Sequence, residues 1–225
     1  MDIMETGSRA RHRALLLLVA LTAASPVLAD AADDALARQI AERVPALAER
    51  AERACRAVVA PDRPAPVEIE QAIRETGDAV SRTVTSDATV SAAEPLLSEL
   101  ATRIGDLDTV PSLSLHQLRN ALAASAGDTA RVIEGRAFVL ALLQHIDRSG
   151  DGRTPATAWQ PCLVGNEYTF VRQVLGTHGI TGQALLHEGG RQIDRLTLAM
   201  PDGSTRDVYF DVTDLYRRNA DALLR

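Results

Sequence analysis

Residues 183–212 read QALLHEGGRQIDRLTLAMPDGSTRDVYFDV, and this stretch decides the fold of the C-terminal part of the chain. In its last segment, Asp207-Val208-Tyr209-Phe210-Asp211, apolar side chains alternate with polar ones, which is the period of a strand with one buried face. Gly189-Gly190 and Pro201-Asp202-Gly203 supply residues that tight turns require. The stretch therefore predicts an antiparallel meander, with strands at 183–188, 191–200 and 205–212.

The segment before the meander adds a strand and a helix to the prediction. Trp159 to Val164 is predicted as a short strand, and Pro161 restricts it to an edge or a bulge. Asn166 can cap a helix that follows, and a closing helix is predicted near Asp214. Residues 147–225 thus predict a small α+β module, in which about four antiparallel strands pack against one or two helices.

Residues 30–146 follow a different period, because their apolar side chains recur every three or four positions. That spacing is typical of one face of an α-helix, and breaks that contain Pro or Gly divide the region into five predicted helices. Pro45 lies inside the first pattern, so we expect a kink, or a helix that ends near Arg43 and restarts. An all-helical array or bundle followed by the sheet module makes the predicted fold class α+β.

The first 29 residues are typical of a secretory signal peptide. Three arginines between positions 9 and 13 precede an apolar run from 14 to 21, and Val27-Leu28-Ala29 resembles a signal-peptidase site. We expect cleavage after Ala29 and a periplasmic or secreted bacterial protein. The apolar run is shorter than the roughly 20 residues that span a bilayer, so no membrane span is predicted in the mature chain.

The composition argues against nucleic acid as a partner. The chain has no lysine, and its formal net charge is −6 at pH 7, so no basic surface for a phosphate backbone is expected. Aromatic residues make up only 3% of the chain, which leaves the core to Leu, Val, Ile and Ala.

Cys55 and Cys162 are the two cysteines of the chain. In an exported protein an even number of cysteines is typical of disulfides, and this pair would tie the first helix to the C-terminal module. Two separate buried thiols are the alternative. Because neither cysteine has a histidine or a second cysteine at ligand spacing along the sequence, no zinc site is predicted.

Asp147, Ser149 and Asp151 resemble the first half of a calcium-binding loop of the EF-hand type. The twelfth position of that loop holds Ala158, where a bidentate glutamate is required. The alternative, which we favour, is an Asp/Gly-rich turn that joins the helical region to the sheet. The sequence predicts no metal site, with this triplet as the weak candidate, and no cofactor.

No catalytic sequence motif is present, since the chain lacks a nucleophile elbow, a zinc-protease helix motif, a phosphate loop and a dinucleotide fingerprint. His178 precedes the strand predicted at 183–188 and His187 lies near its end, and with neighbouring carboxylates they carry the alternative hypothesis of a hydrolase-type enzyme. The preferred hypothesis is a non-catalytic module that binds an envelope protein or a small ligand. Its candidate binding surface consists of Trp159, Glu167, Tyr168, His178, His187 and Tyr209.

Several short motifs follow one another in the C-terminal part: residues 149–159, Asn166-Glu167-Tyr168, Val174-Leu175-Gly176, Gln183-Ala184-Leu185 and Val208-Tyr209-Phe210-Asp211. In this order they resemble an uncharacterised bacterial family, domain-of-unknown-function family 4919, over residues 149–213. The resemblance implies an exported or envelope protein, often attached to helical segments. It implies no known activity and no catalytic residues.

Overall fold

The computed structural model describes residues 28–84 and 87–224. The predicted signal peptide lies outside these ranges, apart from its last two residues. The described helices are α1 (Leu28–Ala57), α2 (Pro66–Thr83), α3 (Ala93–Ile104), α4 (Leu113–Ser125), α5 (Thr129–Arg148), α6 (Gly165–Val174) and α7 (Thr213–Leu223). The strands are β1 (Gly179–Glu188), β2 (Arg191–Ala199) and β3 (Thr205–Asp211). Within these ranges no helix combines the length and apolarity that crossing a membrane requires.

The three strands form the predicted antiparallel meander, in the order β1-β2-β3. Glu188 pairs with Arg191 across the Gly189-Gly190 turn, and both glycines have positive φ angles, of +59° and +80°. At the second turn Ala199 pairs with Thr205. Both predicted hairpins are therefore confirmed.

One face of the sheet is buried under the helices. Asp194 pairs with Phe210 and Leu196 pairs with Val208, so these four side chains point to the same face, and all four are buried. Phe170 of α6 packs edge-on against Phe210 at a centroid distance of 6.0 Å, which places α6 on this face. An acidic residue, Asp194, thus occupies a core position.

The predicted strand from Trp159 to Val164 is not formed. Trp159 makes a single bridge to β3: its N–H donates to the Tyr209 carbonyl at 3.0 Å, and its carbonyl accepts from the Asp211 N–H at 2.7 Å. The pairing does not extend along the segment, where Pro161 has no N–H to donate. The sheet of the described residues has three strands where about four were predicted, and the α+β fold class is confirmed.

The five helices predicted between residues 30 and 146 are confirmed as α1 to α5, but α1 does not end near Arg43. It continues through Pro45, whose side chain is exposed. α1 packs along α5 and buries Val44 and Leu47 in the core. Burial of this apolar face outweighs the backbone hydrogen bond that the proline removes.

The helical region and the sheet module share one continuous hydrophobic core. Asn166 of α6 reaches the start of α4, where its Oδ1 accepts from the Leu113 N–H at 3.0 Å and its Nδ2 donates to the Pro111 carbonyl at 2.8 Å. Arg218 of α7 donates to the Ala60 carbonyl at 3.2 Å. The division predicted at residue 147 thus marks a change of secondary structure along one packed core.

Gly152 lies against the indole ring of Trp159. Its φ angle of +61° is in the left-handed region, and a Cβ added to it would lie 2.1 Å from a ring carbon of Trp159. Trp159 in turn packs against Phe170 and Phe210, at centroid distances of 4.8 and 5.5 Å. The position therefore requires glycine both for its backbone conformation and for space.

We predict that Gly152→Ala lowers the free energy of unfolding more than Gly176→Ala does. Gly176 has the same φ of +61°, but nothing lies within 4 Å of the position that its Cβ would take. Substitution there should cost only about 1–2 kcal/mol of backbone strain. At Gly152 the displaced ring should add about 1–3 kcal/mol. Urea denaturation measures both losses, and equal values would contradict this account of Trp159.

Candidate functional site

The six residues of the predicted binding surface do not lie on one surface. Trp159 and Glu167 expose only 3% and 0% of their surfaces, because Trp159 belongs to the aromatic cluster and Glu167 points from α6 toward the sheet. The predicted surface is therefore corrected at these two positions. Tyr168 and Tyr209 are partly buried, and the Tyr168 hydroxyl donates to Gln183 Oε1 at 2.6 Å.

His178 and His187 are exposed, but they lie near opposite ends of β1. Nine residues of extended chain separate them by roughly 30 Å. Among the residues that the structure describes, neither imidazole has a hydrogen-bonded carboxylate. This geometry gives no support to a hydrolase-type site that uses both histidines.

The Asp/Gly-rich segment after α5 uses its polar side chains to hold its own loop. Ser149 Oγ donates to the Ile146 carbonyl at 2.6 Å and accepts from the Gln160 N–H at 2.7 Å. Asp151 Oδ1 accepts from the Thr157 hydroxyl at 2.6 Å, while Asp147 is exposed at the end of α5. These internal bonds support the interpretation of the segment as a turn.

A buried pair of carboxyl groups, Glu167 and Asp194, lies between α6 and β2. Their residues are 0% and 1% exposed, and the two groups lie close enough for each to shift the pKa of the other. Asp194 Oδ2 also accepts from Gln183 Nε2 at 2.6 Å, and Gln183 Oε1 accepts from the partly buried Tyr168. A chain of hydrogen bonds thus connects a tyrosine near the surface to Asp194 in the core.

The pKa values of both carboxyl groups are raised. Burial raises the pKa of Glu167 well above its usual range, and the negative charge of Asp194 raises it further. Burial also raises the pKa of Asp194, although hydrogen bonds from Gln183 and Glu167 oppose this. Of the two groups, Glu167 therefore holds its proton to the higher pH. Neither group lines the cavity beside Cys55 and Cys162 or the cavity between α3 and the α4–α5 pair, so the pair has no access to a substrate in either cavity.

Cys55 and Cys162 form the predicted disulfide, and the alternative of two separate thiols is wrong. The bond joins α1 to the loop before α6. A cavity of about 390 Å³ opens beside it, and the Arg191–Asp211 ion pair also lines this cavity. His145 of α5 lies here too, with a ring nitrogen and the two sulfurs all within 4.8 Å of one another. Sequence spacing did not show this grouping, because packing of α1 on α5 creates it.

A second cavity, of about 600 Å³, lies between α3 and the α4–α5 pair, and we name it the interhelical groove. His116 and Phe138 form its floor, with their rings edge to face at 4.7 Å. Burial lowers the pKa of His116 to about 4, so the imidazole is neutral at pH 7, and its Nε2–H donates to the Val110 carbonyl at 2.8 Å. The apolar residues of its walls are Val90, Ala93, Leu97, Ala101, Leu107, Leu122, Ala123 and Ala126.

Ion pairs hold one rim of the interhelical groove. Arg50 lies over the Phe138 ring at 4.3 Å from its centroid, and it pairs with Glu134 at 3.3 Å. Arg119 pairs with Asp108 at 2.7 Å, and Arg50 Nη2 donates to the carbonyl of the same aspartate at 2.8 Å. These contacts fix a charged edge next to an apolar wall.

No family model, no curated protein and no solved structure matches this chain. Leu97 and Leu122 follow the helical spacing of apolar residues, which indicates buried positions. Apolar residues that line a groove have the same spacing as residues that fill a core. Only the packing of the helices shows that these two side chains face an opening.

We predict that the free energy of unfolding decreases as pH rises from about 4.5 toward the raised pKa of Glu167. A carboxyl whose pKa is raised by folding stabilises the folded state fully below its unfolded pKa, and that contribution is lost as pH rises through the folded pKa. Glu167→Gln keeps a neutral donor for Asp194, so this decrease should become smaller. Urea denaturation over a pH series measures it.

The matched control is Glu99→Gln, on the exposed side of α3. This variant should keep the wild-type dependence of stability on pH. If Glu167→Gln keeps the same dependence as the wild type, the pKa of Glu167 is not raised by folding.

We predict that the double variant Cys55→Ser/Cys162→Ser loses about 2–5 kcal/mol of unfolding free energy. The disulfide closes a long loop, with 107 residues of separation, and so restricts the unfolded chain. A reductant should lower the free energy of unfolding of the wild type but leave that of the double variant unchanged. Urea denaturation with and without the reductant measures both values. A wild type that does not respond to reductant would contradict the prediction.

Proposed function

We propose that this chain is an exported, non-catalytic binding protein, and that its interhelical groove takes an amphipathic helical segment of an envelope protein. The observation that carries the proposal is the groove itself, an opening of about 600 Å³ with an apolar wall and a charged rim. Its volume is within the range of about 300–1,000 Å³ that is typical of ligand sites.

The apolar wall suits a helix as its occupant. Ala93, Leu97 and Ala101 are spaced by four residues, so they form one row along α3. α3 packs on α2 and α4 packs on α5, so the groove lies between two helical pairs. Rows of this kind accept the apolar ridge of another helix, which presents its anchors at the same spacing.

The charges of the groove favour a basic flank on the partner helix. Its lining includes five carboxylates and three arginines: Glu94, Asp106, Asp108, Asp128, Glu134, Arg50, Arg119 and Arg131. Each of these arginines is paired with an acidic residue. Glu94 and Asp106 have no such partner within the described residues, so a basic side chain beside the apolar stripe would complement them.

The export part of the proposal is supported by the predicted signal peptide and by the resemblance of residues 149–213 to domain-of-unknown-function family 4919. The Cys55–Cys162 disulfide is also typical of proteins that leave the reducing cytosol. Together these observations make the cell envelope the proposed location of the partner.

A photo-reactive phenylalanine analogue at Ser98 should crosslink the partner in an envelope fraction. Ser98 is exposed and lines the groove, whereas Gln71 is exposed on α2 outside it, so the same analogue at Gln71 should not crosslink. Mass spectrometry should locate the crosslink in an amphipathic helical segment that carries basic residues. Equal crosslinking from both positions would contradict the proposed site.

Leu97→Arg should block the groove and weaken binding of a peptide that copies the crosslinked segment by at least about tenfold, since it places a charge on the apolar wall. Leu185→Arg is the matched control, because Leu185 is 38% exposed on β1 and lines neither cavity. Circular dichroism checks that both variants fold. If the Leu97→Arg protein folds and binds the peptide like the wild type, the groove is not the site.

A further inference from the structure

Two sulfurs and an imidazole meet beside the cavity of about 390 Å³. Cys55 comes from α1, His145 from α5, and Cys162 from the loop before α6. One ring nitrogen of His145 and both Sγ atoms lie within 4.8 Å of one another, although the three residues are far apart in the sequence. Thiolates and imidazoles are the protein ligands that zinc prefers.

The disulfide decides whether the sulfurs are available as ligands. While Cys55 and Cys162 are bonded, neither can act as a thiolate. A dithiol reductant transfers two electrons and two protons to the bond, giving two thiols, and is itself oxidised to a disulfide. A divalent zinc ion then displaces the two thiol protons to solvent and forms two S–Zn bonds and one N–Zn bond.

The two Sγ atoms and the His145 ring nitrogen need to move only a short distance to coordinate the ion. Tetrahedral zinc with S–Zn distances of ~2.3 Å and an N–Zn distance of ~2.0 Å places its ligand atoms ~3.5–3.8 Å apart. The present separations are 4.8 Å or less. Cys55 and His145 are fixed by two helices that pack along each other, while Cys162 lies outside any helix or strand. The loop can therefore carry the second sulfur into place.

His145 is available as a ligand. Its imidazole has no hydrogen-bond partner among the residues that the structure describes. The cavity leaves the fourth coordination position open to water or to a ligand.

We propose that Cys55, His145 and Cys162 form a zinc site in the reduced protein, and that closing the Cys55–Cys162 disulfide abolishes it. The chain thus has two covalent states at the junction of its helical region and sheet module. The oxidised state is cross-linked without metal, and the reduced state is joined through zinc. This site is separate from the interhelical groove and does not depend on the function proposed for it.

The test measures metal binding by the full chain in both redox states. The protein is reduced with a phosphine, desalted without oxygen and titrated with Co²⁺, which reports on thiolate coordination through its charge-transfer absorption. We expect one Co²⁺ per chain, displacement by Zn²⁺, and at least ~100-fold weaker binding by the oxidised protein. Reduced, folded protein that binds neither ion would overturn the proposal.

Variants assign the ligands. His145→Ala keeps both thiols, so Co²⁺ should bind at least ~10-fold more weakly and with an altered spectrum. His178→Ala, which changes an exposed histidine away from the site, should bind like the wild type. Cys55→Ser/Cys162→Ser should show no thiolate absorption. If His145→Ala binds with wild-type affinity and spectrum, the imidazole is not a ligand and the proposed site is wrong.

Circular dichroism covers the case in which reduction unfolds the chain. Refolding on addition of Zn²⁺ by the wild type, but not by His145→Ala, supports the site, because metal binding is then coupled to folding. A reduced chain that stays unfolded at saturating Zn²⁺ overturns the proposal.

Discussion

The Cys55–Cys162 bond is the constraint on which the junction of the fold depends. It ties α1 to the loop before α6, where the hydrophobic core passes from the helical region to the sheet module. Four residues after Cys162, Asn166 uses its side-chain amide to bond the start of α4. The next residue, Glu167, is thereby set against Asp194. A single covalent bond and its polar neighbours thus determine where α6 lies on the sheet.

The contact of α6 with the sheet contains two carboxyl groups in an otherwise apolar core. Burying two ionised carboxylates side by side is costly, and burial accordingly raises the pKa of both groups. Asp194 Oδ2 accepts a hydrogen bond from Gln183. The packing of α6 is therefore linked to pH through these two carboxyl groups, a link that apolar residues of the same shape would not provide.

Sequence patterns predicted the elements that local chemistry decides and missed the features that distant contacts decide. Gly189-Gly190 determines its hairpin by itself, and the helical period located five helices. The local preference of Pro45 predicted a kink or a break in the first helix. The helix continues through Pro45 because the packing of α1 on α5 outweighs this preference. Asp194 has the polarity of a solvent-facing residue, but its register with Phe210 turns it inward. No spacing along the chain connects His145 with Cys55, since only helix packing brings them together.

The packing of α1 on α5 determines both cavities of this fold more than the three-stranded sheet does. Arg50 and Cys55 of α1 face Phe138 and His145 of α5, so one end of the pair borders the interhelical groove and the other borders the disulfide cavity. Phe138 and His145 are two turns apart on the same side of α5, ~10 Å along its axis. Ala51 is fully buried on α1, and its small side chain allows the helices to pack closely. Both cavities therefore depend on how α1 and α5 pack, and the C-terminal module contributes Cys162 and the Arg191–Asp211 ion pair to one of them.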